Sequence, residues 1–390
     1  MTVFEPAKLG PITLRNRTIK AATFEGRSRR GAVSDELIAF HEEVAAGGVG
    51  MTTVAYCAVA PEGRVFRDCL VLDATSVPGL ARLTDAVHAQ GAKASAQLGH
   101  AGLVADMRSN RAKSLAPSRR FSPVGKGFVP GATKADMARV RGDFAAAAKN
   151  AVQAGFDCLE VHLGHNYLLS SFLSPNLNRR KDDHGGSIDN RARFPREVVS
   201  AVRDAVGDRV AVIAKLNMVD GVERGLQVED SLAVGRMLQD DGAVDALQLT
   251  GGSSLLNGMY FFRGDVPLKE FVATQPKAAA PFVRFFLKRI MPQYPFEEGF
   301  FLPLARQFRA ELDLPLILLG GINRLDTMTS AREEGFDFLA LGRALLREPD
   351  LINRLQSSQV EQGVCIHCNR CAPTIYSRAG TTCVERVPSA

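Results

Sequence analysis

Along the chain, short runs of aliphatic and β-branched residues alternate with longer stretches whose apolar positions recur every three to four residues. The short runs predict strands at 18–22, 50–55, 93–98, 158–162, 210–216, 245–249, 316–319 and 338–341. The longer stretches predict helices, among them 34–46 with Ser34 as its cap, 138–154, 193–206 and 229–239. The strands are apolar at nearly every position, as strands covered on both faces of a parallel sheet are. Eight such units predict an α/β fold of the TIM (β/α)8 barrel type. A doubly wound open sheet would carry a G-x-G-x-x-G turn after a strand, and none of these runs is followed by one.

Two stretches exceed what a barrel needs. Residues 105–133, rich in Arg, Ser, Pro and Gly, follow the third strand, where βα loops build active sites. Residues 251–309, after strand 6, hold many aromatics and predict an insertion with its own structure. Within it, 277–291 alternates bases with Phe282, Val283, Phe285, Phe286, Leu287 and Ile290, the pattern of an amphipathic helix. It reads either as a helix packed on the barrel or as a lid or docking surface.

Of 390 residues, 46% are hydrophobic and 23% charged, which excludes disorder and coiled coil as the dominant state. The net charge of +6 is spread along the chain and suits an anionic cofactor as well as nucleic acid, so it decides nothing alone. The start of the chain lacks the regions of a signal peptide, and no run reaches the ~18 apolar residues of a transmembrane span, so the expected location is cytoplasmic. Four of the seven cysteines, Cys365, Cys368, Cys371 and Cys383, crowd the C-terminal segment, and in a reducing compartment that clustering reads as metal or cluster ligation.

Three groups of residues carry candidate chemistry. His162, His165 and Tyr167 follow the fourth strand; imidazoles can polarise a carbonyl and a phenol can return a proton. Gly320 and Gly321 follow the seventh strand, and Gly342 and Arg343 the eighth, where many barrels bind phosphate. Gln97 ends the third strand and could pair with a planar heterocycle, with Lys215 on the fifth placing a cation beside the same ring. Together they imply a ring-bearing phosphate cofactor across the mouth, although each residue alone is also compatible with ordinary barrel filling.

These residues, with L14-R-N-R, Q97-L-G-H-A-G and F172-L-S-P-N-L-N-R-R-K-D-D-H-G-G-S-I-D-N-R-A-R-F, are similar to the Old Yellow Enzyme family of FMN-dependent oxidoreductases. The resemblance implies FMN, with Gln97 at the pyrimidine edge, Lys215 near the N1–O2 locus, and the Ala22–Thr23 backbone beside the reactive edge. It also implies that His162 and His165 bind the ligand oxyanion and that Tyr167 donates the proton. Phe24 falls at the flavin-tuning position, and Tyr56 at an aromatic substrate-wall position of the trimethylamine dehydrogenase branch. In that branch and in 2,4-dienoyl-CoA reductase, the segment C365-I-H-C-N-R-C with Cys383 corresponds to a [4Fe–4S] site; zinc, with His367 nearby, is the alternative. The implied organisation is an FMN-binding barrel at 1–360, with 251–309 as an insertion that is either packed on the barrel or a lid, and a cysteine-rich tail at 361–390. The implied activity is NAD(P)H-driven hydride transfer to an activated alkene, an enone or enoyl thioester, by a homo-oligomer acting on small molecules. The alternative is dehydrogenation of an amine or acyl substrate, with electrons leaving through the cluster to a separate redox partner. An aldolase or isomerase, or a zinc-tail interaction protein, would carry no flavin.

Overall fold

The computed structural model describes residues 2–274, 277 and 280–386. Eight parallel strands form a ring: β1 (Thr18–Lys20), β2 (Met51–Ala58), β3 (Lys93–Gly99), β4 (Cys158–Leu163), β5 (Ala211–Asn217), β6 (Ala246–Thr250), β7 (Leu316–Leu319) and β8 (Phe338–Leu341). Each pairs with its successor, and β8 returns to β1 through Leu339↔Thr18 and Leu341↔Lys20, so the sheet is closed. The outer helices are α1 (Asp35–Ala46), α2 (Val77–Ala89), α3 (Lys134–Gln153), α4 (Ile188–Val206), α5 (Val228–Asp240), α6 (Leu302–Glu311), α7 (Leu325–Glu333) and α8 (Leu351–Gln356). This is the TIM barrel the hydrophobic pattern predicts.

Where element ends depart from that pattern, local bonding explains the difference. Strand β2 runs on to Ala58 because Cys57 and Ala58 pair with the short strand Leu70–Val71. Helix α1 starts as predicted, with the Ser34 hydroxyl accepting from the Leu37 amide at 3.1 Å. Helix α3 begins earlier than its apolar periodicity, since Thr133 and Asp136 form a reciprocal capping box: the Thr133 amide donates to Asp136 Oδ2 at 2.9 Å and the Asp136 amide to Thr133 Oγ1 at 3.1 Å.

The ring has a dry end and a polar end. At the strand N-termini an antiparallel hairpin, Ala7–Leu9 with Ile12–Leu14, closes the barrel. Its Leu9 and Leu14 are fully buried among Ile19, Ile213, Ala246, Ile317 and Phe338. The runs that form it are too short to register as periodic, and the sequence reading did not anticipate it. At the opposite end, residues 105–133 contain a second hairpin, Arg120–Ser122 with Gly127–Val129. The insertion carries helices Leu268–Ala273 and Ala280–Ile290, the latter with Phe282 and Phe285 exposed; the Phe286 and Ile290 side chains lie outside the described residues. Among the described residues no helix is long and apolar enough to cross a membrane.

The hairpin plug predicts a stability effect without a chemical one. Leu14→Ala, which removes a buried side chain from a sealed site, is expected to cost about 2–5 kcal/mol in urea unfolding. The native fraction should retain the ligand-binding properties of the unaltered protein, because the plug and the mouth lie at opposite ends of the strands.

Candidate active site

Alternate side chains of each strand enter the lumen, and above the apolar floor that rule brings together Gln97 on β3, Glu160 and His162 on β4, Lys215 on β5 and Gln248 on β6. All are at most 5% exposed. Gln97 Nε2 donates to Glu160 Oε1 at 2.5 Å, and Lys215 Nζ lies 3.7 Å from the same oxygen. Several buried polar atoms in this layer have no partner: both amide atoms of Gln248, Glu160 Oε2 and His162 Nδ1. Buried polar groups in native proteins are normally satisfied, so unsatisfied donors and acceptors at the top of a lumen fit a polar heterocycle such as a flavin ring. Glu160 and Gln248 were not singled out in the sequence. An alternation count from the β4 and β6 ends would have found them, because Glu160 lies two residues before the inward His162 and Gln248 is a polar residue between two leucines.

His162, His165 and Tyr167 meet as the motif predicts. The His162 ring centroid is 4.7 Å from that of Tyr167 and 5.3 Å from that of His165. Their arrangement depends on a turn in which His165 (φ 59°) and Asn166 (φ 57°) both adopt the left-handed region, uncommon for residues with a β-carbon. Asp220, fully buried, stabilises that turn: it accepts from Asn166 Nδ2 at 3.0 Å, Asn217 Nδ2 at 3.0 Å, Ser174 Oγ at 2.6 Å and the Leu226 amide at 2.9 Å. Asn217 in turn accepts from the His165 amide at 3.1 Å, and His165 Nε2 lies 3.0 Å from Thr250 Oγ1. This supporting set was also missed, since Asp220 and Asn217 reach the motif only through the fold.

Burial and the Lys215 cation push His165 down to about 3, and burial, His165 and Lys215 push His162 well below the ordinary imidazole value. Both rings are therefore neutral at pH 7 and act as hydrogen-bonding groups. Burial raises the Tyr167 phenol above its ordinary value, so it stays protonated.

Tyr56 and Phe24 join this wall. Tyr56 lies 5.4 Å from Tyr167 and 6.4 Å from Phe24 between ring centroids, and Ala22 and Phe24 pack with Ala55, Tyr56, Cys69 and Tyr167. Thr23 Oγ1 donates to Glu25 Oε1 at 3.3 Å. Glu25 heads a buried cluster that the sequence did not reveal, paired with Lys20 and 3.6 Å from His41 Nε2. Burial opposes its ionisation, yet Lys20 and His41 outweigh it and hold the carboxyl at about 2.

The glycine turn after β7 is packed by aromatic rings, and the one after β8 is open apart from the Thr23 methyl. Gly320 (φ 119°) and Gly321 (φ 76°) lie against Phe301 and Phe300, whose rings would sit 2.6 Å from any added Cβ. Gly342 precedes a short helix, Arg343–Arg347. The Arg343 guanidinium donates to Arg263 O at 2.8 Å and to Asn369 Oδ1, which puts it on the side of the cysteine tail. There Cys365, Cys368, Cys371 and Cys383 are partly buried free thiols, and burial pushes Cys371 up to about 12. Among the described residues no three metal-ligating side chains converge on one point. His367 stacks on Phe296 at 3.3 Å between ring centroids.

A closed barrel with a sealed floor and a polar upper lumen defines a class of enzyme that works at the C-terminal ends of its strands. Residues 2–251 match the NADH:flavin oxidoreductase / NADH oxidase family, and the chain belongs to that family, the Old Yellow Enzyme group. It is an NAD(P)H:flavin oxidoreductase, and FMN is the family's cofactor. A 4,4'-dithiodibutanoate disulfide reductase of Rhodococcus erythropolis is 63% identical over 385 residues, covering 99% of this chain and 95% of that one. A metal reductase of Desulforamulus reducens is 31% identical over 385 residues, and this chain spans 53% of its length. The fold is shared with 2-naphthoyl-CoA reductase (TM-score 0.84, 23% identity, 98% of this chain and 56% of that one). It is also shared with an old yellow enzyme homologue from Zymomonas mobilis (TM-score 0.74, 20% identity, 99% and 98%).

The depressed histidines set a pH dependence. An unfolded imidazole binds its proton near pH 6.5 and the folded His165 only near 3, so the stability present above pH 6.5 is lost progressively as pH falls towards 3. Each such group should contribute a slope approaching 1.4 kcal/mol per pH unit, roughly, within that window. Thermal unfolding from pH 8 to 4 should show a plateau above 7 and a decline below 6.5, shallower in His165→Gln.

Proposed function

We propose that the protein uses bound FMN and NAD(P)H to reduce a small two-electron acceptor held at His162, His165 and Tyr167, and that this acceptor is an organic disulfide with carboxylate arms. The single observation that carries this substrate choice is the 63% identity, over nearly its full length, to a reductase of 4,4'-dithiodibutanoate. Reduced FMN, when bound, supplies hydride. Gln97 and Lys215 would hold the ring, and the turns at Gly320, Gly321, Gly342 and Arg343 its phosphate; Ala22 and Thr23 would present backbone to its reactive edge. The four cysteines of the tail have the donor chemistry of a [4Fe–4S] ligand set, which remains our assignment for them.

The chain's own groups suit stabilisation of a leaving anion. Two neutral imidazoles can donate hydrogen bonds to charge that develops on the acceptor, in a layer from which burial excludes water. When the sulfur–sulfur bond breaks, one sulfur takes the hydride and the other leaves as thiolate. Tyr167, one ring away from His162, can return a proton to that thiolate, giving two thiols. The same groups serve a second reading, an activated alkene: the imidazoles would polarise its carbonyl and Tyr167 would protonate the α-carbon. The observation that favours it is the convergence of the three rings, with those of Tyr167 and His165 centred 4.7 and 5.3 Å from that of His162, which sets an oxyanion-binding pair beside a proton donor.

Stopped-flow oxidation of the NADPH-reduced holoenzyme by 4,4'-dithiodibutanoate, cyclohex-2-enone and a primary amine control tests the choice. Faster oxidation by the disulfide supports the first reading, and faster oxidation by the enone replaces it with the second. His162→Ala or His165→Ala should weaken acceptor binding by about 1–3 kcal/mol. Tyr167→Phe should slow flavin reoxidation more than flavin reduction; equal slowing of both would remove its donor role. Anaerobic iron reconstitution should give about four irons per chain for a [4Fe–4S] centre, and stoichiometric zinc without iron would overturn that assignment.

A further inference from the structure

Beyond its cysteines, the tail lies against the loop that follows β1. Phe24 in that loop has φ 51°, in the left-handed region that an aromatic residue rarely occupies without support. The support comes from two sides. On the barrel side, the Glu25 amide donates to Ala55 O at 2.9 Å and Glu25 Oε2 accepts from the Ala55 amide at 2.7 Å. On the tail side, Thr381 Oγ1 donates to Phe24 O at 2.6 Å and the Thr381 amide to Glu25 O at 2.7 Å. Arg27 Nη2 donates to Thr381 O at 3.2 Å. Two glycines allow this approach: a Cβ on Gly380 would lie 2.3 Å from Glu25 O, and one on Gly26 would lie 3.2 Å from Ile375 O.

The tail also adds a ring to the wall. Its short helix Ala372–Tyr376 sets Tyr376 6.0 Å from Phe66, which lies 5.3 Å from Phe24. Through Tyr56 and Tyr167 the run continues to His162. Its outer end, Tyr376, is 60% exposed, whereas the inner end is buried beside the proton donor.

We propose that the cysteine tail is part of the substrate site, with Thr381 as a positioning residue that fixes Phe24 and Tyr376 as a specificity-determining residue of the outer wall. The proposal rests on reading the Phe24–Tyr56–Tyr167 pocket as the acceptor site. The rings of this wall suit the methylene stem of the acceptor's arm, whose carboxylate is carried outward past the exposed Tyr376 to solvent, and Tyr376 sets the reach of that stem.

Thr381→Val removes the hydroxyl and keeps the volume. In the FMN-loaded protein it is expected to shift the flavin absorption bands and to raise KM for 4,4'-dithiodibutanoate by about fivefold, the worth of one lost hydrogen bond. That rise should exceed any fall in kcat, and Thr381→Ser should restore both spectrum and KM. Tyr376→Ala, which leaves the Phe24 bonds intact, should raise KM for this disulfide more than for dimethyl disulfide, with an unaltered flavin spectrum. A wild-type spectrum and KM in Thr381→Val would overturn the positioning role, and an equal effect of Tyr376→Ala on both disulfides would overturn the wall. If Thr381→Val fails to fold, the Tyr376 comparison decides alone. If the unaltered protein reduces neither disulfide nor enone, the functional reading fails, and the Thr381→Val spectrum still decides whether the tail positions Phe24.

Discussion

In a closed parallel ring every second side chain is forced into a lumen, and the chain must decide what to put there. Below, this protein chooses Ile19, Ile213, Ile317 and Phe338 and caps them with Leu9 and Leu14. Above, it chooses Gln97, Glu160, His162, Lys215 and Gln248. Water cannot satisfy groups buried to that degree, so the upper layer is stable only where its members pair with one another or with a bound molecule. The position of the site, the neutrality of its histidines and its demand for a polar ring all follow from that division.

The barrel was legible because its strands are buried on both faces, which leaves an unbroken apolar run at each one. The His162–His165–Tyr167 group was legible for a different reason: three chemically active residues within six positions remain together whatever turn joins them. Gln97, Lys215 and the glycine turns could be placed because strand ends converge at one face of this architecture. What stayed hidden depends on burial and pairings that only the fold creates, whether the partners are near or far in sequence. Asp220 looks like any loop carboxylate until the fold brings Asn166, Ser174 and Asn217 to it. Glu25, likewise, is ordinary in sequence and becomes the centre of a buried pair only when Lys20 and His41 face it. The bottom hairpin was invisible because three-residue strands carry no period.

Two buried carboxylates thus perform related work on opposite sides of the pocket. Asp220 braces the turn that carries His165, and Glu25 braces the backbone that carries Phe24. In both cases an uncommon backbone conformation in the wall is stabilised by acceptors that no water reaches, which favours one geometry over a mixture of several. Burial raises the Asp220 carboxyl, whereas the Lys20 ammonium and His41 hold Glu25 ionised, so the two braces would respond differently to acid.

The bond between Thr381 and Phe24 joins positions 357 apart in the chain. Ring closure already makes β1 wait for β8, and the loop after β1 then waits longer, until the tail has been synthesised and laid down. During synthesis on the ribosome Phe24 emerges early, and its bond to Thr381 cannot form before the tail has emerged. Contacts of such high sequence separation close slowly, so a nascent barrel would spend time with its walls standing and one side of its pocket unfinished.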